Sequence, residues 1–122
     1  MESSSAVEAL AALAHDGRLA TFRLLVKEGP GGLAAGEIAR RLGVPPSTLS
    51  ASLAILARAG LVTAHRRGRS ILYAAAFGRM ADLVGYLAED CCGGAPEVCG
   101  PLAAVVARVA CCPPLSRPRA PT

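Results

Sequence analysis

Residues 35–60 read AGEIARRLGVPPSTLSASLAILARAG, and this stretch decides the fold. Ile38 and Leu42 lie four apart, which stacks them on one face of a short helix over 35–42. Gly43 then supplies a sharp turn, because glycine takes positive φ without steric cost. Pro45 and Pro46 open the next helix, where a missing N–H does no harm, and that helix runs over 46–58 before Gly60. Helix, glycine turn and helix in this order form the helix-turn-helix signature. On a helical projection Leu49, Leu53 and Leu56 share one face of the second helix. Ser47, Ala51, Ala54 and Arg58 hold the opposite arc, flanked by Thr48 and Ser50. A DNA-reading helix needs this division between an apolar anchoring face and small, hydrogen-bonding outer groups. The same pattern also describes an ordinary solvated face, and Ser47 serves equally well as a helix cap.

The residues that follow sharpen the reading. Residues 61–66 alternate Leu, Thr and His with Val, Ala and Arg. Arg67, Gly68 and Arg69 form a turn, and residues 70–75 make a second short run, Ser-Ile-Leu-Tyr-Ala-Ala. Two short strands around a basic glycine turn predict a β-hairpin, or wing. Arg66, Arg67 and Arg69 concentrate positive charge at its tip, within reach of phosphates or a narrow minor groove. The expected DNA contacts are therefore Ser47, Thr48, Ser50, Ala51 and Arg58 on the helix, with Arg66, Arg67 and Arg69 on the wing.

Upstream, the spacing predicts a helix over 7–14 with Val7, Leu10 and Leu13 on one side. After a break at His15, Asp16 and Gly17, a second helix over 18–27 presents Leu19, Phe22 and Val26. Residues 28–32, Glu-Gly-Pro-Gly-Gly, read as a loop. Downstream, a helix over 77–90 carries Phe77, Met80, Ala81, Val84, Leu87 and Ala88 on one stripe, with Leu83 and Tyr86 outside it. A helix apolar on more than one side, in so small a domain, points to a dimer interface. The expected fold is mainly α with a small β-hairpin: a homodimeric winged helix-turn-helix.

Bulk composition agrees. The chain has 122 residues, room for one domain, and 52% are apolar but only 3% aromatic, so Leu, Ala and Val must build the core. Thirteen basic residues against nine acidic ones leave a net charge of +4, which implies nucleic acid only where the charge is clustered. Residues 1–13 carry Glu2 and Glu8 and no basic residue, unlike a signal peptide. The longest apolar stretches are too short to span a bilayer, so a soluble, cytoplasmic protein without membrane contact is expected. In a reducing cytosol five cysteines read as metal-binding, redox-sensing or buried thiols, not as a disulfide framework. His15 and His65 have no partner at metal spacing and read as structural. No nucleophile–base pair or phosphate-binding loop suggests an enzyme.

Residues 9–99 resemble the ArsR/SmtB family of winged-helix metalloregulatory repressors. Leu13-Ala14-His15-Asp16-Gly17-Arg18-Leu19 carries the resemblance, followed by Glu37-Ile38-Ala39 with Leu42-Gly43 and by Ser47-Thr48-Leu49-Ser50. It continues through Leu53, Leu56 and Ala59-Gly60-Leu61-Val62 and ends on Gly68-Arg69 with Tyr73. The resemblance implies a homodimer paired through its first and last helices, bound to an imperfect palindromic operator and released by a metal or metalloid, with no cofactor needed for DNA binding. Many relatives carry one or two histidines just after the serine matching Ser50; here Ala51 and Ser52 stand there.

Family members place their inducer sites differently. The Cys-x-Cys of the founding arsenic sensors is absent from Gly36-Glu37-Ile38-Ala39-Arg40-Arg41, and the last helix has Asp82 but no histidine for a zinc or nickel site. Asp90-Cys91-Cys92-Gly93-Gly94-Ala95-Pro96-Glu97-Val98-Cys99 instead resembles an arsenic-responsive subgroup with a vicinal cysteine pair and a third cysteine close behind. Soft trivalent arsenic or antimony takes three thiolates in a pyramid, and the Gly-Gly-Ala-Pro loop lets Cys99 fold back on Cys91 and Cys92. Cys111 and Cys112 form a second vicinal pair: a second dithiol site suited to methylarsenite, a spare donor, or idle thiols. The expected organisation is a DNA-binding and dimerisation domain over 1–90, a Cys-rich inducer-binding segment over 91–112 and a disordered tail over 113–122. The function implied is a repressor released by trivalent arsenic or antimony. A thiol–disulfide redox sensor, or a sensor of cadmium, lead or zinc, is the alternative.

Overall fold

The computed structural model describes residues 1–88, 101 and 104. Its elements are α1 (Ser3–Leu13), α2 (Asp16–Glu28), β1 (Leu33–Ala34), α3 (Ala35–Leu42), α4 (Pro46–Arg58), β2 (Val62–Arg67), β3 (Ser70–Ala75) and α5 (Phe77–Ala88). Residues Met1–Tyr86 make one compact unit, and a second begins at Leu87. The mainly α winged helix-turn-helix expected from the sequence is the fold observed, with differences in the elements: the β part is larger than a hairpin, α1 starts four residues early, α2 takes in Asp16 and Gly17 of the expected break, and β2 is displaced by one residue.

Leu25, Ile38, Leu49, Leu56 and Leu61 are the largest fully buried apolar side chains, joined by Phe22, Leu33, Leu53 and Leu83. Burying one such side chain is worth about 1.5–3 kcal/mol, so this largely aliphatic cluster holds the helices together with little aromatic bulk. α4 is anchored as its leucine spacing predicts, with Leu49, Leu53 and Leu56 inward beside Ser52.

α1 inverts its expected orientation. Ala6, Ala9 and Ala12 are buried, whereas Val7 and Leu10 stand exposed and Leu13 is half-buried. Small side chains let α1 approach α2 and α4 closely, so the alanine face wins the core and the larger apolar face is left outside. α2 is rotated by about one residue from expectation: Thr21, Phe22 and Leu25 are inward and Leu19 is exposed. In α5 only Leu83 is buried, and Ala81, Val84 and Leu87 of the expected stripe are exposed.

The α1–α2 corner is held by polar groups. His15 caps α2, its Nδ1 accepting from the Gly17 and Arg18 backbone N–H groups at 3.1 and 3.4 Å. The Arg18 guanidinium donates to the Ala12 and Ala11 carbonyls at 2.6 and 3.4 Å, so a cation closes the C-terminal end of α1, where the helix dipole favours one. Thr21 Oγ1 donates back to the Gly17 carbonyl at 2.8 Å, which satisfies a hydroxyl that is otherwise buried.

The sheet has the antiparallel order β1-β3-β2. β1, which has no counterpart in the sequence pattern, pairs Leu33 with Tyr73 and Ala34 with Leu72. Gly32, at φ +75°, passes so near β3 that a Cβ there would lie 2.5 Å from the Tyr73 carbonyl oxygen. Only glycine permits that approach.

Candidate nucleic-acid interface

The direction of α4 is set by the turn before it. Gly43 takes a left-handed conformation (φ +67°), and the Val44 N–H bonds the Ala39 carbonyl at 3.1 Å. This ends α3 and redirects the chain into α4. At the start of α4 the Leu49 N–H bonds the Pro45 carbonyl, and no side chain caps the helix. The Ser47 hydroxyl is thus not used as a cap.

Ser47, Thr48, Ser50 and Ala51 crowd the first turns of α4 and are all exposed. Of the two positions where many relatives carry histidine, Ala51 faces outward and Ser52 is buried. Arg58 is also exposed but lies three turns away, about 16 Å along the helix axis from Ser47. It borders a groove of about 340 Å³ between α1 and α4, shared with Glu8, Ala11, Arg18 and Ile55. The expected helix contacts are therefore not one cluster: four sit at the leading end, and Arg58 sits at the trailing end.

The wing is formed by β2 and β3, with Val62 opposite Ala75 and Arg67 opposite Ser70. β2 runs one residue further than expected, so Arg67 belongs to the strand and the turn is Gly68 and Arg69. From Thr63 to Ile71 every residue is exposed. Neighbouring residues of a strand point to opposite faces, so Arg66 and Arg67 put a cation on each face of the tip, with Arg69 at its end. Among the described residues, Arg58, Arg66, Arg67 and Arg69 make no salt bridge.

The arginines of α3 differ. Glu37 accepts hydrogen bonds from both Arg40 and Arg41, the latter at 2.8 Å, and Arg41 also reaches Glu28 at 3.1 Å. The bonds from Arg40 and then Arg41 hold the Glu37 carboxyl down at about 2, against an ordinary 4.5, and the same bonds raise both guanidinium pKa values. Arg41 thereby ties α3 to α2, whereas the Arg40–Glu37 pair lies within α3.

One electrostatic signal is legible in the sequence only when acids and bases are placed along the chain instead of summed. No Asp or Glu occurs between Glu37 and Asp82, while Arg40, Arg41, Arg58, Arg66, Arg67, Arg69 and Arg79 do. The whole-chain charge of +4 averages that block, at +7, against a remainder at −3. Clustering of this kind, not total charge, raises local potential at a surface.

Cys91, Cys92, Cys99, Cys111 and Cys112 and the tail expected over 113–122 lie outside the described residues. Among the described residues no three His, Cys, Asp or Glu side chains gather as metal ligands.

A helix-turn-helix domain family matches residues 13–65, the span from the end of α1 into the wing. No curated protein matches the chain by sequence. Solved structures do. The ArsR-like transcriptional regulator from Rhodococcus sp. RHA1 superposes with a TM-score of 0.63 over 87% of this chain and 90% of that one, at 22% identity, a likeness of fold. The homodimeric winged helix-turn-helix DNA-binding domain of Mb0332 from Mycobacterium bovis (fragment 1–100), a possible ArsR-family transcriptional regulator, is 32% identical. That match covers 71% of this chain and 81% of that one, with a TM-score of 0.57. The antimony-specific transcriptional repressor AntR is 29% identical over 70% of this chain and 77% of its own, with a TM-score of 0.56. With the fold, the helix-turn-helix match and this level of identity together, the chain belongs to the ArsR family of winged helix-turn-helix transcriptional regulators, which are DNA-binding proteins and not enzymes.

Proposed function

We propose that this protein is a cytoplasmic homodimeric repressor that holds operator DNA and releases it when trivalent arsenic or antimony binds Cys91, Cys92 and Cys99. The observation that carries the DNA half is the wing's arginine tip, which makes no salt bridge among the described residues, together with the exposed leading turns of α4. A second copy is the occupant suited to the apolar surface left open: Val7 and Leu10 on α1 are 61% and 41% exposed, and Val84 and Leu87 on α5 are 49% and 58% exposed. Next to α1, the partly exposed Leu13, Leu19, Leu24 and Met80 line a groove of about 640 Å³. A lone chain leaves these groups in water, and pairing removes them from it. Among the described residues no helix is long and apolar enough to cross a membrane.

The inducer half rests on donor chemistry. Three cysteines within nine residues match the three-thiolate preference of a soft trivalent metalloid. The likeness to an antimony-specific repressor supports the same reading. Cys111 and Cys112 are a second candidate dithiol, suited to methylarsenite. To weaken DNA binding tenfold, the inducer must favour the DNA-free state by about 1.4 kcal/mol.

Fluorescence anisotropy with duplexes from its own promoter region, under reducing conditions, tests the proposal. Arsenite and antimonite are expected to release the wild type and to leave Cys91→Ser bound, and the response of Cys111→Ser to methylarsenite assigns the second pair. DNA binding that ignores every metalloid but is lost on oxidation and regained with reductant would replace this reading with a thiol switch.

A further inference from the structure

The two halves of the DNA-facing surface are unequally equipped to read sequence. The strong base readers are side chains that make two hydrogen bonds to one base edge: Arg for guanine, Asn or Gln for adenine. This chain contains no Asn and no Gln, and residues 46–57 contain no charged side chain and no histidine. Over its leading turns α4 offers only the hydroxyls of Ser47, Thr48 and Ser50 and the methyls of Ala51 and Ala54, all exposed. A hydroxyl both donates and accepts, so it bonds any base edge, and an alanine methyl favours only the thymine methyl. Arg40 and Arg41 are held by Glu37, and Arg58 is three turns from the leading end.

The wing is the reverse case. Arg66, Arg67 and Arg69 stand exposed and without a salt bridge among the described residues, and Ile71, directly opposite Arg66, is 41% exposed. All three cations are arginine, as are twelve of the chain's thirteen basic residues. A guanidinium is more weakly hydrated than an ammonium and enters the negative potential of a narrow minor groove at lower desolvation cost. Ile71 adds an apolar surface for the sugar walls of that groove. We infer that this regulator selects its operator chiefly by shape: a narrow, A·T-rich minor groove beneath each wing supplies the discrimination, while α4 supplies placement in the major groove with a preference limited to thymine methyls. The inference rests on the regulator reading above and names what that regulator recognises.

The test leaves the protein unaltered in its first arm. Duplexes retained by the full-length protein from a random-sequence library are expected to share A·T tracts at two symmetric positions and to vary beneath α4. Replacing those tracts by G·C should weaken binding by about tenfold or more. Replacing them by inosine·C should restore it to within about threefold. Inosine lacks the guanine amino group in the minor groove but matches guanine in the major groove. Replacing purines beneath α4 by 7-deazapurines, which lack the N7 acceptor, should change affinity by less than about threefold. In a second arm, joint replacement of Arg66, Arg67 and Arg69 by lysine should weaken binding to A·T-tract duplexes more than to G·C duplexes, bringing the A·T to G·C ratio toward one. Inosine·C duplexes as weak as G·C, or a strong 7-deaza effect, would overturn shape readout while leaving the regulator reading intact. Retention of no duplex even at low salt would instead bring down the regulator reading itself.

Discussion

Arg40 and Arg41 on α3 and Arg66, Arg67 and Arg69 on the wing are the same residue type within one winged helix, yet they stand in different surroundings. Both of the first two are tied to Glu37, and Arg41 also to Glu28; among the described residues the other three meet no carboxylate, and they project from a strand pair exposed from Thr63 to Ile71. An arginine with no neighbouring carboxylate brings its full charge to a phosphate, whereas a glutamate beside it lowers the local positive potential. The difference lies in acid placement: glutamates stand at 28 and 37, and no acid follows until Asp82.

The comparison can be broken in three ways. The largest effect is expected from joint replacement of Arg66, Arg67 and Arg69 by alanine, which should lower DNA affinity by about a hundredfold or more near physiological salt. The slope of log Kd against log salt should flatten by about 0.9 for each phosphate that the wing no longer neutralises. The matching pair, Arg40→Ala and Arg41→Ala, should leave affinity within about threefold, since surface pairs of this kind act locally. Equal losses in both sets would remove the distinction.

An intermediate effect is expected at Arg18, a third use of the same residue. Its guanidinium ends α1 through two carbonyls, so Arg18→Ala should cost about 1–2 kcal/mol in a urea melt without changing the salt slope of DNA binding. The smallest concerns pH. Glu37 is held at about 2 in the folded chain against an ordinary 4.5, so its contribution to stability is complete above 4.5 and is lost as pH falls toward 2. The stability gap between wild type and Glu37→Gln should be constant near neutrality and shrink from pH 5 downward. A gap that does not vary with pH would mean that the carboxylate and its two arginines do not brace α3.

Legibility in the sequence followed the number of partners a face had to satisfy. The leucines of α4 have one core to meet, and their spacing located it; Gly43 and the wing glycine were equally plain, because each conformation is enforced locally. α1 has two apolar faces, and hydrophobicity ranks Val7, Leu10 and Leu13 above Ala6, Ala9 and Ala12. Close packing inside one chain chose the alanines, and the larger side chains await a surface that a single sequence does not display. β1 is two residues long and follows a glycine-rich loop, so it has no periodicity to read; only its pairing with β3 makes it a strand. The leading turns of α4 and the wing tip were both named from sequence, but the separation of Arg58 from them needed helix geometry, and the binding of Arg40 and Arg41 needed the position of Glu37.

That short strand gives the wing a mechanical character. β3 is clamped on both sides at Leu72 and Tyr73, by β1 and by β2, whereas Ser70 and Ile71 have β2 alone. The hairpin is therefore a cantilever: its fulcrum is fixed at Leu72, and its compliance is concentrated in the outermost residues that bear the cations. Backbone amides at Ser70 and Ile71 should exchange faster than those at Leu72 and Tyr73. A change at Gly32 or Leu33, remote from any DNA contact, would loosen the fulcrum and so alter how firmly the tip presses into a groove.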